Sequence, residues 1–192
     1  MKHKMMATTL IGAALGLGAG AANAGKYQDA TDSFKKAQQS SAFFQRSYAY
    51  AVFPTIGQGG FGIGAAHGRG RVYVHGAQVG ETAVTQLSIG WQAGGEAYSE
   101  IIFFENQSAL QEFQSGSFEF GAGASVTAIT AGASADVGSQ GAGAGASVDS
   151  KNAAVTGFYN HGMAVFTIVK AGLMFDASLQ GEKFSYKARV RS

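Results

Sequence analysis

Small and apolar side chains recur at steps of three and four residues between positions 29 and 48. This spacing places them on one face of an α-helix. Asp29 is of the residue type that caps helix N-termini, and Pro54 disfavours helical backbone at Phe53. The pattern therefore predicts one N-terminal helix that begins at Asp29 and ends before Phe53. Its apolar face comprises Ala30, Phe34, Ala37, Ser41, Phe44 and Tyr48.

After Pro54, apolar positions alternate with a period of two, which indicates β-strands. The predicted strands are residues 71–75, 87–93, 98–104, 118–120, 124–129, 155–159, 163–169, 172–179 and 184–187. Residues 121–148 are almost all small, which fits tightly packed strands, with a disordered linker as the alternative. A turn at Gln180 and Gly181 is expected to form the last hairpin.

One short helix is expected to interrupt these strands. Asn106 is a good N-cap residue, and Ala109, Leu110 and Phe113 follow it at helical spacing before Gly116. The whole pattern predicts a single β-rich α+β domain. It would contain an N-terminal helix, a curved antiparallel sheet or partly closed barrel, and one short helix.

Glycines are concentrated in residues 53–71, between aromatic and basic side chains. Glycine is favoured where the backbone has positive φ or closely approaches another group, so this run predicts bent, packed strands with Gly60 and Gly62 at tight positions. Residues 57–62 also match GxGxxG. A dinucleotide site would require a helix after the glycines, whereas strand-like alternation follows here, so no nucleotide site is expected.

The first 24 residues have the pattern of a secretory signal peptide. Lys2, His3 and Lys4 precede a stretch of small and apolar residues, and residues 22–24 read Ala-Asn-Ala, which matches an A-x-A cleavage site. Few of these residues are large and apolar, so cleavage is favoured over a membrane anchor. We expect a mature domain of residues 25–192 that is periplasmic or secreted from a bacterium.

Charge and cysteine content restrict the function further. Removing Lys2 and Lys4 from the 14 Lys and Arg leaves 12, which equals the 12 Asp and Glu. A neutral chain has no overall field that attracts nucleic acid, so any electrostatic partner must meet a local patch. The chain has no cysteine, which excludes disulfides and thiolate metal sites. No cofactor and no nucleic-acid partner are expected.

A cluster of cations with one aromatic ring is predicted opposite the apolar face of the N-terminal helix. Lys35, Lys36, Phe43 and Arg46 fall together when positions are placed at 100° per residue. Interfacial helices insert such a ring into a membrane while the cations meet lipid phosphates. The alternative is that the helix ends near Ser41 and that Phe43 packs inside the protein.

Arg69 and Arg71 form a second basic pair beside the glycine-rich run. Strand alternation sends both side chains to the same side, and a guanidinium group can hold a phosphate bidentately. The alternative is an ordinary solvated strand end.

Residues for catalysis are few. His67, His75 and His161 are scattered, and they are expected to be ordinary imidazoles without a metal. Glu96, Glu100 and Glu105 could line a site, although an exposed strand face explains them equally well. The chain is therefore not expected to be an enzyme.

Five sequence blocks resemble those of the SYLF-domain family, a family of lipid-binding domains, and occur in the same order. The first combines AVFP at 51–54, GGFGIG at 59–64 and GRG at 68–70. The others are SIGWQAGG at 88–95, IIFF at 101–104 with the short helix after it, FEFGAGASV at 118–126 and GLMFDASLQG at 172–181. The resemblance implies phospholipid or membrane-surface binding through an amphipathic N-terminal helix and basic residues. Pro54 is the only proline, so neither a proline-rich segment nor an actin-related role is expected.

Two other interpretations remain open. A signal peptide followed by glycine-rich alternating strands is also typical of a small outer-membrane β-barrel, although the chain ends in a basic segment and many strand positions are small and polar. An envelope structural or stress protein would contact lipid only incidentally. The sequence does not determine the lipid or the oligomeric state.

Overall fold

The computed structural model describes residues 17–116, 118–120, 126–129, 158–171 and 181–189. Its elements are, in chain order, α1 (Leu17–Lys36), α2 (Gln38–Ser41), α3 (Phe43–Arg46), β1 (Ala49–Val74), β2 (Ala77–Phe104), α4 (Gln107–Gln114), β3 (Val126–Ile129), β4 (Met163–Ala171) and β5 (Glu182–Ala188). The predicted class, a β-rich α+β domain, is confirmed. None of the described helices is both long enough and apolar enough to cross a membrane.

The single helix predicted from residue 29 is wrong at its start and in its continuity. Asp29 lies inside α1, which already includes Leu17, so Asp29 is not an N-cap. Ala37 has extended backbone with ψ of 124° and separates α1 from α2. The Ser40 hydroxyl donates a hydrogen bond of 2.6 Å to the Phe34 carbonyl oxygen. This bond provides a partner for a carbonyl near the end of α1, where the helix itself can supply none.

The break at Ala37 changes which side chains face the core. Ser40 and Phe43 are buried, whereas Ser41 and Phe44 are only partly buried. Counting residues at 100° across the break therefore gives the wrong face, because the count assumes one uninterrupted helix.

β1 and β2 form one long antiparallel hairpin, from Ala49 opposite Phe104 to Val74 opposite Ala77. His75 and Gly76 make the turn with φ of 49° and 81°, as a two-residue type I′ turn requires. The separately predicted strands at 71–75, 87–93 and 98–104 are thus parts of one hairpin. The GxGxxG match at 57–62 lies within β1, which continues to Val74, so the strand-like continuation predicted after these glycines is confirmed.

β1 bends so strongly that its two ends meet. The rings of Tyr50 and Tyr73 stack at 5.1 Å with an interplanar angle of 17°, whereas a straight strand would separate these residues by roughly 75 Å. Irregular register, which bends strands, accompanies this curvature. The register shifts lie between Phe53 and Ile56, between Phe61 and Ile63, and between Val72 and Tyr73. The predicted curved sheet is therefore confirmed.

Two glycines lie where the halves of β1 pack together. A Cβ atom on Gly70 would lie 2.6 Å from Cε1 of Phe53, and one on Gly68 would lie 2.6 Å from Cγ1 of Ile56. Both positions leave no room for a side chain unless a neighbour moves. The packing role predicted for the glycine-rich run holds at these two residues. The surroundings of Gly60 and Gly62 lie outside the described part of the structure.

Two different segments of β2 pair with β4 and with β5. Residues 97–104 pair with β4, and residues 80–86 pair with β5. β3 runs parallel to β4, and the other pairs of named strands are antiparallel. Residues 118–120 lie beside β5, where the Phe184 amide donates to the Phe118 carbonyl at 2.9 Å. The order is β1-β2-β4-β3 with β5 on β2, so the described strands form an open sheet and not a closed barrel.

Helical segments cover both faces of the sheet. α1 to α3 pack on one face, where the buried residues include Phe34, Phe43, Val52, Ile101, Phe103 and Phe166. α4 and residues 118–120 pack on the other, where they include Phe53, Val72, Val84, Phe104, Phe113 and Phe184. The prediction of α4 is confirmed, since the Asn106 side chain accepts a hydrogen bond of 3.0 Å from the Ala109 amide.

The later strand predictions are confirmed where the structure describes them. β3, β4 and β5 match the segments predicted at 124–129, 163–169 and 184–187. Phe158 and Tyr159 are not in a strand, in contrast to the segment predicted at 155–159. The segment predicted at 172–179, most of residues 121–148 and residues 1–16 of the expected signal peptide lie outside the described residues.

Candidate functional site

Phe43, expected to insert into a membrane, is an interior residue. It is 1% exposed, and its ring centroid lies 5.4 Å from that of Phe103, 5.2 Å from Tyr159 and 4.9 Å from Phe166. The expectation that Phe43 is exposed among cations is wrong, because the break at Ala37 turns the ring toward the sheet. The alternative, in which Phe43 packs inside, is correct.

The cations predicted with Phe43 lie at the surface of the helical layer. The Arg46 guanidinium lies 4.1 Å from the Phe43 ring centroid, and Nζ of Lys35 lies 5.7 Å from that of Phe44. Lys35 also faces Asp32, with 3.8 Å between Nζ and Oδ1. Lys35, Lys36 and Arg46 are exposed. The structure thus leaves these charges accessible while it buries the ring that was expected to accompany them.

Arg69 and Arg71 project from the same side of β1, as predicted. They lie opposite Ala83 and Glu81 of β2 in the body of the hairpin, so neither is a strand end. The Arg71 guanidinium lies 4.1 Å from the Tyr27 ring centroid, and the Tyr27 hydroxyl donates to the Arg69 carbonyl at 3.4 Å. Burial raises the pKa of Tyr27 despite the opposing charge of Arg71. Tyr27 therefore joins α1 to the basic pair and partly covers Arg71.

β5 contributes further cations that sequence reasoning missed. Lys187 lies opposite Glu81, and Lys183 lies opposite Thr85, so both share a face of the sheet with Arg69 and Arg71. The basic face is defined here as Arg69, Arg71, Lys183, Lys187 and Arg189. The signal in the sequence was the alternation of Lys183, Ser185 and Lys187 with Phe184 and Tyr186.

Acidic side chains offset only part of this charge. Glu81 lies on the basic face between Arg71 and Lys187, and Glu119 pairs with Lys183 at 3.4 Å between Oε2 and Nζ. Across the described residues of this surface, five cations thus stand against two carboxylates.

A groove of about 350 Å³ lies at one end of the basic face. It is lined by Arg71, Gln78, Glu81, Lys187, Ala188 and Arg189. Arg189 reaches Gln78 with 3.4 Å between Nη1 and Oε1. Guanidinium and ammonium groups around one groove can bind a phosphate or carboxylate by charge-assisted hydrogen bonds.

Two carboxyl groups lie inside the domain, away from the basic face. Glu100 is 0% exposed and Glu182 is 1% exposed. The Tyr98 hydroxyl donates to Oε1 of Glu182 at 3.1 Å. Within the described ranges, both carboxyl oxygens of Glu100, Oε2 of Glu182 and the Thr167 hydroxyl have no hydrogen-bond partner. Glu100 and Glu182 are called the carboxyl pair below.

Burial makes the carboxyl pair hard to ionise. Burial, and then the charge of Glu182, raises the pKa of Glu100 well above its ordinary value. Burial raises the pKa of Glu182 to about 8, although the Tyr98 hydrogen bond opposes the shift. The expectation of an exposed strand face is therefore wrong for Glu100. Glu105 is exposed, but it lies just after β2 ends at Phe104 and so not on a strand face. Glu96 lies among side chains that the structure does not describe.

His67, His75 and His161 are exposed and lie on separate segments. In the described parts of the chain, no three His, Asp or Glu residues come together in a way that could hold a metal ion.

Comparison with known proteins identifies the family. The sequence model of Ysc84, described as Las17-binding protein actin regulator, matches residues 85–190, which is more than half of the chain. Beta cell expansion factor A of Aeromonas veronii is 25% identical over 154 residues, covering 79% of this chain and 50% of that protein. The chain thus spans about half the length of this curated relative.

The matched segment contains only part of the candidate site. The carboxyl pair, Lys183, Lys187 and Arg189 lie within residues 85–190, whereas Lys35, Lys36, Phe43, Arg46, Arg69 and Arg71 precede them. The resemblance seen in the sequence blocks is confirmed: the chain belongs to the Ysc84 family, the family of the SYLF domain.

Proposed function

We propose that this chain is an exported, non-catalytic protein that binds anionic phospholipid surfaces. The observation that carries the proposal is the basic face, on which Arg69, Arg71, Lys183, Lys187 and Arg189 outnumber their acidic neighbours. The chain without its first 24 residues is formally neutral, so these cations make a local patch and not a general property of the surface.

The strength of such an attraction is moderate. Each Lys or Arg near an anionic bilayer contributes about 1 kcal/mol, and the acidic side chains Glu81 and Glu119 reduce the sum. Lys35, Lys36 and Arg46 add exposed charge on the helical layer, which packs on the same face of the sheet as Arg71. The proposed binding is therefore reversible and sensitive to salt.

The absence of catalysis is supported by the position of the acidic groups. Glu100 and Glu182 lie inside the domain, where a substrate in solvent does not reach them. The exposed histidines lie apart from them and from one another. Family membership makes the chain a member of a lipid- and actin-related group of binding domains, and the basic face favours the lipid-related function for this chain.

The test is co-sedimentation of the exported protein with vesicles of phosphatidylglycerol or of phosphatidylcholine alone, at low and physiological salt. We expect binding to the anionic vesicles that weakens as salt rises. Arg69→Gln with Lys187→Gln should reduce it, whereas Lys170→Gln, which removes one exposed cation from β4 outside the basic face, should not. Absence of binding to every vesicle would refute the proposed function.

A further inference from the structure

Leu87 is a large apolar side chain on the same face of the sheet as the cations, and it is 76% exposed. Among the described residues, Phe158, at 65%, is the other large apolar side chain with comparable exposure. A single exposed leucine is common on protein surfaces and is not by itself evidence of a binding site. The position of Leu87 is informative because of what surrounds it on the sheet.

The register places Leu87 at the apolar end of a graded surface. Leu87 lies opposite Ala65, and the next row of outward positions contains His67, Thr85 and Lys183. The following rows contain Arg69 with Ala83 and Ser185, and then Arg71 with Glu81 and Lys187. The intervening residues Ala66, Val84 and Phe184 are buried. The surface thus passes from apolar to basic within a few residues.

The Leu87 end of this surface is open to solvent, since Ala65, His67 and Leu87 are exposed. The Tyr27 side chain of α1 contacts Arg71 and the Arg69 carbonyl, which lie toward the far end from Leu87. Lys183 and the Arg69 side chain are exposed between the two ends. The accessible part of the face therefore combines an apolar side chain with cations one and two rows away, at about 7 Å per row.

We propose that Leu87 enters the hydrocarbon boundary of an anionic phospholipid bilayer while Lys183 and Arg69 meet lipid phosphates, an inference that rests on the proposed function. An apolar residue flanked by cations matches the two layers of a bilayer surface, in which acyl chains lie below phosphates. A soluble anion would be bound by the cations alone and would gain nothing from Leu87. A sheet face thus takes the role that sequence reasoning gave to Phe43.

The chain has no cysteine, so one environment-sensitive fluorophore can be attached at a single introduced thiol. Leu87→Cys is the test position, and Phe158→Cys is the matched control. Each labelled protein is mixed with phosphatidylglycerol–phosphatidylcholine vesicles, with and without brominated acyl chains as quencher. We expect a blue shift and quenching at position 87 and neither at position 158.

A second measurement uses affinity. Leu87→Ser should lower vesicle affinity about ten-fold at both low and physiological salt, because apolar insertion is not screened. Lys183→Gln should lower it mainly at low salt. Far-ultraviolet circular dichroism checks that each variant keeps the parent fold, and the exposure of both side chains favours this.

The results of these experiments can refute the role of Leu87 without refuting the proposed function. If the parent binds vesicles while position 87 shows no spectral change, Leu87 is not the anchor and the proposed function stands. A spectral change at both labelled positions also overturns the inference. So does a spectral change at position 87 that depends on protein concentration in the absence of vesicles, because it would show a contact between two copies of the chain. Failure of the parent to bind any vesicle refutes both.

Discussion

Tyr50 and Tyr73 belong to the same strand, yet their rings stack at 5.1 Å. The contact shows that the two ends of β1 meet, so the whole β1–β2 hairpin is bent over on itself. The residues inside this fold, Phe53 against Gly70 and Ile56 against Gly68, decide how closely the two halves approach. The candidate site depends on this closure, because β1 carries the basic pair that Tyr27 of α1 contacts.

Gly70→Val should destabilise the domain by about 1–3 kcal/mol through overpacking. The new Cβ would lie 2.6 Å from the Phe53 ring and 2.8 Å from Cγ2 of Thr82, so both would have to move. Urea denaturation measures the effect. Gly57→Val is the control, since no described atom lies within 4 Å of a Cβ placed there. Equal stabilities for the two variants would contradict the close packing of the hairpin halves.

The stability of the domain should fall as pH rises from about 4.5 to about 8. In this window the folded chain holds protons on the carboxyl pair, since the pKa of Glu182 is about 8 and that of Glu100 is also raised. The unfolded chain has released them near the ordinary value of 4.5, so it binds fewer protons and unfolding becomes easier with rising pH. The midpoint of thermal unfolding, followed across this range, is the measurement.

Glu182→Gln should flatten this pH dependence and raise the thermal midpoint more at pH 8 than at pH 5. The amide stays neutral and its oxygen can still accept from the Tyr98 hydroxyl. Glu105→Gln, at an exposed position, serves as the control and should leave the slope unchanged. A slope that survives in Glu182→Gln would assign the pH dependence to other groups.

Phe43→Ala should lower the free energy of unfolding by about 3–5 kcal/mol, as expected for a buried aromatic ring. The ring is packed among Phe103, Tyr159 and Phe166. Chemical denaturation measures the change, with Lys36→Ala as a surface control expected near zero. A stable Phe43→Ala that loses only vesicle binding would restore the inserting role that the burial of Phe43 argues against.

Lys35→Gln with Lys36→Gln should weaken vesicle binding mainly at low salt. Exposed charges lose reach as the Debye length falls from about 30 Å at 0.01 M to about 8 Å at physiological ionic strength. Co-sedimentation with anionic vesicles at both salt concentrations measures the effect. Unchanged binding at low salt would confine the interface to the sheet and exclude the helical layer.

Exported protein should begin at Gly25, after the Ala-Asn-Ala sequence. Intact mass of protein recovered from the periplasm or medium tests this. Retention of residues 1–24 in such material would mean that the segment is not a cleaved signal peptide.

Local sequence patterns predicted the positions of helices and strands better than they predicted which elements pair or pack together. Asn106 and the spacing after it were enough to place α4, because capping and helical period act within a few residues. The fold of the β1–β2 hairpin could not be predicted in this way, since Tyr50 and Tyr73 meet only after bulges bend the strand. The same limit applies to Glu100, because alternation gives the two faces of a strand but does not say which one the rest of the chain covers.

The candidate site shows this limit most clearly. Arg69 and Arg71 were correctly placed on one side of a strand, yet Lys183 and Lys187 join them only through pairing across β2. Phe43 was misplaced because one residue with extended backbone, Ala37, breaks the helix. Neither the local composition nor the helical periodicity of the sequence indicates that the helix breaks at Ala37.

The long hairpin also determines the order in which the domain can assemble. Its turn at His75 and Gly76 joins neighbours in sequence, whereas Ala49 and Phe104 pair across the greatest separation in the hairpin. Pairings of distant residues form slowly, because a long loop must first be closed. Val52, Ile101 and Phe103, on which the helices pack, become neighbours only at this stage. We therefore expect the helices to dock on these residues late in folding, and hydrogen exchange should find α2 and α3 less protected than the strands beside the turn.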